Sequence, residues 1–226
     1  MRISLLSPPE QPQRRHDRLL PSDQLHQRFF ASVGSLPQAT RRGLAHALFE
    51  LKYLRPDPWG YRHRQAADLR RAAIVSVCDL EPVAHILEVG CGEGFLTERL
   101  IGIAGVRRVT GIDISRRALR RAARRLGGAA DLVHGDARRA DLPRTGLIVV
   151  ADFLYYVGDG DNLDSFLNRL VDSLAVGGRL VLAHPLRWVP GLHSSADRNA
   201  RLRKELTSNS ETPNDVLVVE VWRRVA

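Results

Sequence analysis

Residues Ile86–Gly94 read I-L-E-V-G-C-G-E-G, and Asp113 closes a second apolar run, V-T-G-I-D. Three glycines therefore alternate (Gly90, Gly92, Gly94), Glu88 precedes them, and an acid stands 19 residues after the last. The chemistry is ligand capture. Glycines let the backbone approach where a Cβ would block it. A carboxylate at a strand end accepts bonds from paired ribose hydroxyls. The spacing is G-x-G-x-G (with Cys91 as a small side chain inside the turn), not the G-x-G-x-x-G that seats a pyrophosphate. Glu88 would repel a phosphate and suits a ligand carrying positive charge. A tight strand-to-helix turn of another α/β protein would use the same glycines, and Asp113 alone would suit any strand end.

The elements that must position these residues are legible from residue 84 onward. Strands are expected at 84–89, 108–112, 131–134, 147–151 and 179–183. Helices are expected at 95–104, 115–126, capped by Ser115, and 161–175. Such alternation implies an α/β fold with a mostly parallel sheet covered on both faces and a ligand at the strands' carboxyl ends. Residues 216–222 add an antiparallel strand, and 205–212 are its candidate hairpin partner; the sheet has seven strands with that partner and six without. Residues 1–20, rich in Pro, Gln and Arg, read as a disordered or loose tail. Residues 21–80 read as an N-terminal helical cap and linker. They comprise a helix after Ser22 or Asp23, a second carrying Leu44, Leu48, Leu51 and Tyr53, and a third over 59–80 with Ala66, Leu69, Ala73, Ile74 and Val77 inward. Residues 81–226 form the binding core.

Further candidates lie at the expected strand ends. Ile114 follows Asp113 and is placed to cover one face of a base. Gly135, Asp136 and Ala137 follow the third strand, as ligand contacts or as a turn. The fourth strand ends in Ala151-Asp152-Phe153-Leu154-Tyr155-Tyr156, facing both cofactor and acceptor. Asp152, Tyr155 and Tyr156 are candidates for orienting an acceptor, or for packing. His184, ending the fifth strand, is a candidate proton acceptor, with His193 weaker. Upstream, Asp57-Pro58-Trp59-Gly60-Tyr61-Arg62 is either a lid over the cofactor or a packed linker.

Composition bounds the rest. The chain has 226 residues and a net charge of +9. Residues 1–75 hold 13 Lys and Arg against 6 Asp and Glu; the remainder hold 21 against 19. The excess sits ahead of the core, where it attracts an anion or nucleic acid, or simply aids solubility. Arg116, Arg117, Arg120, Arg121, Arg124 and Arg125 form one helical stripe, either solvated or a docking face. No apolar run is long enough to span a membrane, and Ile3–Leu6 is too short for a signal peptide core. Two cysteines make no framework or metal pattern. A cytoplasmic location and no metal are expected.

The glycine segment resembles the first motif of class I methyltransferases that use S-adenosylmethionine (SAM). From Asp57 to Arg223 the chain is similar to their NodS-like branch. The shared features are D-P-W-x-Y-R, L-E-V-G-C-G-E-G-F-L-T-E-R-L, I-D-I-S-x-x-A-L, H-G-D, Y-Y after the fourth strand, and G-G-R-L-V-L-A-H. The resemblance implies a Rossmann-like fold, with Trp59, Arg62, Glu88, Gly90, Cys91, Gly92, Asp113, Ile114, Gly135, Asp136, Ala137 and Ala151 around SAM. It further implies a small-molecule methyl acceptor, an amine or hydroxyl on an amino sugar or other secondary metabolite. Asp152, Tyr156 and His184 would act at that acceptor. A-D-F-L-Y in place of N-P-P-Y departs from the nucleobase amino methyltransferases. An RNA-directed enzyme using the basic N-terminal third, and a non-catalytic SAM-binding protein, are the alternatives. Oligomeric state has no signature in the sequence.

Overall fold

The computed structural model describes residues 38–158, 160–212 and 215–226. The tail over 1–20 and the helix after Ser22 lie outside these residues. Seven strands form one sheet: β1 (His85–Val89), β2 (Arg108–Asp113), β3 (Asp131–His134), β4 (Thr145–Ala151), β5 (Leu174–Pro185), β6 (Leu202–Thr212) and β7 (Asp215–Arg224). Their order is β3-β2-β1-β4-β5-β7-β6. The pairs from β3 through β5 are parallel, while β7 runs antiparallel between β5 and β6. The chain order turns back between β1 and β4, and this crevice is where ligands bind in doubly wound sheets.

Central strands are largely apolar because both faces are covered. Leu87, Val89, Ile148 and Val150 enter one core; Ile86, Leu147 and Val149 enter the other. Glu88 shares a face with Ile86, which places a carboxylate in an apolar layer. Helices α1 (Gln38–Lys52) and α2 (Gln65–Cys78) precede the sheet. Helices α3 (Phe95–Ile101), α4 (Arg116–Leu126) and α5 (Gly160–Ser173) alternate with its parallel strands, and short helices α6 (Val189–Leu192) and α7 (Ser194–Asp197) follow β5. Ser115 caps α4 by accepting from Ala118 N–H at 3.2 Å.

Several sequence expectations shift. The partner of β7 is present and longer than expected, so the count is seven. Strand β5 begins at Leu174, directly after α5, instead of after the Gly177-Gly178 pair; its start pairs Thr145 with Leu174 across a bulge before the main ladder resumes at Leu147–Arg179. Helix α2 begins at Gln65, because residues 57–63 turn instead of coiling. Leu51 and Leu69, expected inward, are exposed. Ala67, Ile74, Val77 and Cys78 are buried in α2, and Arg70 and Arg71 lie on the same face. Two arginines therefore interrupt the apolar stripe, which displaced the apparent period.

Candidate active site

A cavity of about 230 Å³ opens at the carboxyl ends of β1, β2 and β4, beneath α1 and α2. Its wall contains Trp59, Glu88, Gly90, Cys91, Gly92, Asp113, Ile114, Ala151, Asp152 and Tyr156, ten residues from four stretches of the chain brought together here.

Asp113 is the best-defined group. Its Oδ2 accepts from Gly92 N–H at 2.9 Å and its Oδ1 from Ser115 N–H at 2.8 Å. A carboxylate has about four acceptor positions, so each oxygen retains one for a ligand. Burial raises its pKa, opposed by those two bonds. Gly90, Gly92 and Gly94 all have positive φ (76, 53 and 79°). A Cβ on Gly92 would meet the Tyr53 hydroxyl at 2.8 Å, and one on Gly90 would meet the Phe153 ring at 2.8 Å. The loop is thus shaped for close approach on two sides.

Glu88 is buried and accepts from Thr97 Oγ1 at 2.5 Å. Burial pushes its carboxyl up to about 8, against the Thr97 bond. Burial also pushes the Cys91 thiol well above its ordinary range, so it is an inert wall group. Asp152 has φ of 51° and forms an ion pair with Arg70, 2.6 and 2.7 Å from one guanidinium nitrogen to its two oxygens.

Five expected residues are absent from the wall of this cavity. Arg62 is exposed and absent from the cavity wall, and its backbone N–H donates to Asp57 Oδ2 at 2.9 Å. Gly135 and Asp136 line a shallow groove with His46 and Arg139 that adjoins the cavity at Ile114, common to both. Asp136 there binds the Arg138 guanidinium with both oxygens. Ala137 is buried in the core. His184 lies wholly buried behind the β4 end, with both ring nitrogens bonded, so it has no access to an acceptor. Burial, then His193 and Arg70, hold it well below the usual imidazole range.

The sequence reading missed Tyr53 as a site group, together with Arg64, Arg70, Arg71, Arg187 and Asp215 on the wall. The available signal was two consecutive arginines on the otherwise apolar inward face of a helix. Asp57-Pro58-Trp59-Gly60-Tyr61-Arg62 is a self-capped turn. Asp57 accepts from Tyr61 and Arg62 N–H groups, and its own N–H donates to Glu93. Trp59 donates to the Tyr53 hydroxyl at 3.2 Å.

The arginine stripe of α4 divides in two. Arg117 pairs with Glu50 at 2.5 Å; Arg121 reaches Glu93 at 2.8 Å and the carbonyls of Leu54 and Arg55. Arg125 donates to Glu93 O and stacks on Phe95 at 3.7 Å. Arg116, Arg120 and Arg124 are exposed. Half of the stripe is therefore engaged: Arg117 holds α1, Arg125 holds the glycine loop, and Arg121 ties residues 54 and 55 to that loop.

The strand order, the glycine turn and the acid after β2 define the Rossmann-like class I methyltransferase fold. A solved structure of the N-methyltransferase NodS from Bradyrhizobium japonicum, in complex with S-adenosyl-L-homocysteine, matches at a TM-score of 0.68 and 23% identity, over 79% of this chain and 97% of that one. Burkholderia thailandensis 1,6-didemethyltoxoflavin-N1-methyltransferase matches at a TM-score of 0.65 and 15% identity, over 84% and 91%. The chain belongs to the NodS family: the family model described as Nodulation protein S matches residues 42–189. Nodulation protein S of Rhizobium tropici is 33% identical over 141 residues, which span 58% of this chain and 58% of that protein's length. Among the described residues, no helix is long and apolar enough to cross a membrane.

Proposed function

We propose that this chain is a SAM-dependent methyltransferase acting on a small molecule, most simply at an amine. The observation that carries the proposal is Asp113, held by two backbone N–H groups at the cavity wall with acceptor capacity to spare. The family membership and the N-methyltransferase identity of the matched Bradyrhizobium structure favour an amine over a hydroxyl.

The residues present fit SAM. Gly90 and Gly92 form a cradle that a Cβ would fill, Asp113 would hold ribose hydroxyls, and Glu88 stands beneath the loop as an acid. SAM, when bound, supplies a methyl carbon already activated by its sulfonium. The chain itself binds, orients and excludes water, which are the contributions expected where the electrophile needs no further activation. Asp152, fixed by Arg70, and Tyr156 would orient the acceptor's N–H or O–H.

Calorimetric titration with S-adenosylhomocysteine tests the proposal. Micromolar binding at one per chain is expected and opens an acceptor screen starting with amino sugars. Folded protein that binds none, once copurified ligand is excluded, overturns it.

A further inference from the structure

His184 and His193 connect to Glu220 in an unbroken hydrogen-bonded line that takes no part in the proposed methyl transfer. His184 Nε2 faces the N–H groups of Phe153 and Leu154, at 3.3 and 3.2 Å. Its Nδ1 lies 3.0 Å from His193 Nε2. His193 Nδ1 lies 2.7 Å from Glu220 Oε2. Glu220 Oε1 accepts from Lys204 Nζ at 3.1 Å and Thr207 Oγ1 at 3.2 Å, and Lys204 pairs with Asp197 at 2.7 Å. His184, His193 and Glu220 are 0, 1 and 5% exposed.

The partners dictate the protons. A backbone N–H can only donate, so His184 Nε2 carries a lone pair. Its proton then sits on Nδ1 and donates to His193 Nε2. His193 must carry its own proton on Nδ1, donated to the Glu220 carboxylate. One tautomer pattern satisfies every group.

The line ends beneath the 3-10 turn Leu154–Tyr156, which borders the cavity. Phe153 packs against Gly90, and Tyr155 and Tyr156 face the cavity. On the cavity side, Arg70 grips Asp152, the residue just before this turn. The segment is held from both sides.

We infer that His184, His193 and Glu220 are positioning residues: a hydrogen-bond relay that fixes residues 153–156 against the cavity from the core side. The purpose assigned to the segment, orienting a methyl acceptor, rests on the methyltransferase reading; the relay itself rests on geometry. A proton added to His184 would turn Nε2 into a donor facing two donors and release the turn. The groups facing this ring are His193, Arg70 on α2 and Tyr155, at 6.0 Å between ring centroids; behind His193 stand Glu220, Lys204 and Asp197. Burial, His193 and Arg70 all disfavour the charged form, so the relay holds at neutral pH and fails only under acid.

The test is amide hydrogen exchange at Phe153 and Leu154, read by NMR as protection factors, in wild type, His193→Gln and His193→Phe. Gln retains an acceptor for His184 Nδ1–H; Phe retains the ring but no acceptor. The relay predicts protection within threefold of wild type for Gln and at least tenfold loss for Phe. The reverse order, or equal protection in both, overturns it, since a packing role favours the ring. Should His193→Phe not fold, acid titration of the wild type decides. Protection at Phe153 and Leu154 must be lost before that at Val89 and Val150, and simultaneous loss overturns the relay. S-adenosylhomocysteine titration of the same wild-type sample separates the two readings: absence of binding with the exchange pattern intact removes the methyltransferase proposal alone.

Discussion

The Arg70 guanidinium holds both oxygens of Asp152, from α2 to the residue after β4, at 2.7 and 2.6 Å. Asp152 has a backbone φ of 51°, a conformation uncommon for a non-glycine residue. The pair therefore fixes a strained position at the point where the cavity wall passes from the glycine loop to the Leu154–Tyr156 turn. Replacing Arg70 by Met should leave S-adenosylhomocysteine affinity within about threefold but reduce turnover of a screened amine acceptor at least tenfold, since misplacement of an orienting group costs rate steeply. Parallel calorimetry and single-turnover assays check this; a loss confined to cofactor affinity would contradict it.

Asp113→Ala removes two backbone bonds and the proposed ribose contacts together. Bonds to charged groups contribute roughly 1.5–3 kcal/mol each. S-adenosylhomocysteine affinity should fall at least tenfold, read by calorimetry on a variant whose far-UV spectrum matches wild type. Full retained affinity would place the cofactor elsewhere.

Gly92→Ala places a Cβ 2.8 Å from the Tyr53 hydroxyl on a backbone with φ of 53°. The backbone strain alone costs about 1–2 kcal/mol. At about 2–4 °C per kcal/mol for a chain this size, Tm should fall by several degrees. Adding Tyr53→Phe should restore only part of the loss, because it relieves the contact and leaves the backbone strained. Complete restoration in a melting experiment would show that φ is not limiting.

Arg121→Met leaves the buried Glu93 carboxylate without its cation while the Asp57 N–H remains. About 2 kcal/mol of stability should be lost. Residues 54–61 should be cleaved faster in limited proteolysis, because Arg121 also binds the carbonyls of Leu54 and Arg55. Arg120→Met, on the exposed side of the same helix, should change neither measurement.

Glu88 gives a pH dependence with a definite sign. Burial raises its folded pKa to about 8, above the unfolded value near 4.5. Between those values the folded state binds more protons than the unfolded chain, so this group's contribution favours folding less as pH rises and levels off above 8. Glu88→Gln should flatten that decline. Denaturant unfolding of both proteins from pH 5 to 8 checks it, and parallel curves would show that Glu88 titrates normally.

The succession of strands and helices along the chain and the position of the glycine turn were legible because each is local: apolar runs, glycine spacing and a strand-end acid follow from neighbours in the chain. Glu88, Gly90, Gly92 and Asp113 could be named for the same reason. His184 could not be assigned, because a histidine at a strand end reads alike whether it faces a cavity or His193 and Glu220, which lie 9 and 36 positions away. Arg62 and Arg64 are equivalent in sequence, and only the turn stapled by Asp57 to Glu93 puts one on the cavity wall and the other outside. The α4 arginines likewise form a single stripe in sequence; packing of residues 50–55 against Arg117 and Arg121, and of Glu93 and Phe95 against Arg125, decided which three are used. Local pattern determined the scaffold and the glycine loop. Long-range packing determined which charges meet, because desolvation and pairing depend on elements that the chain brings together only when folded.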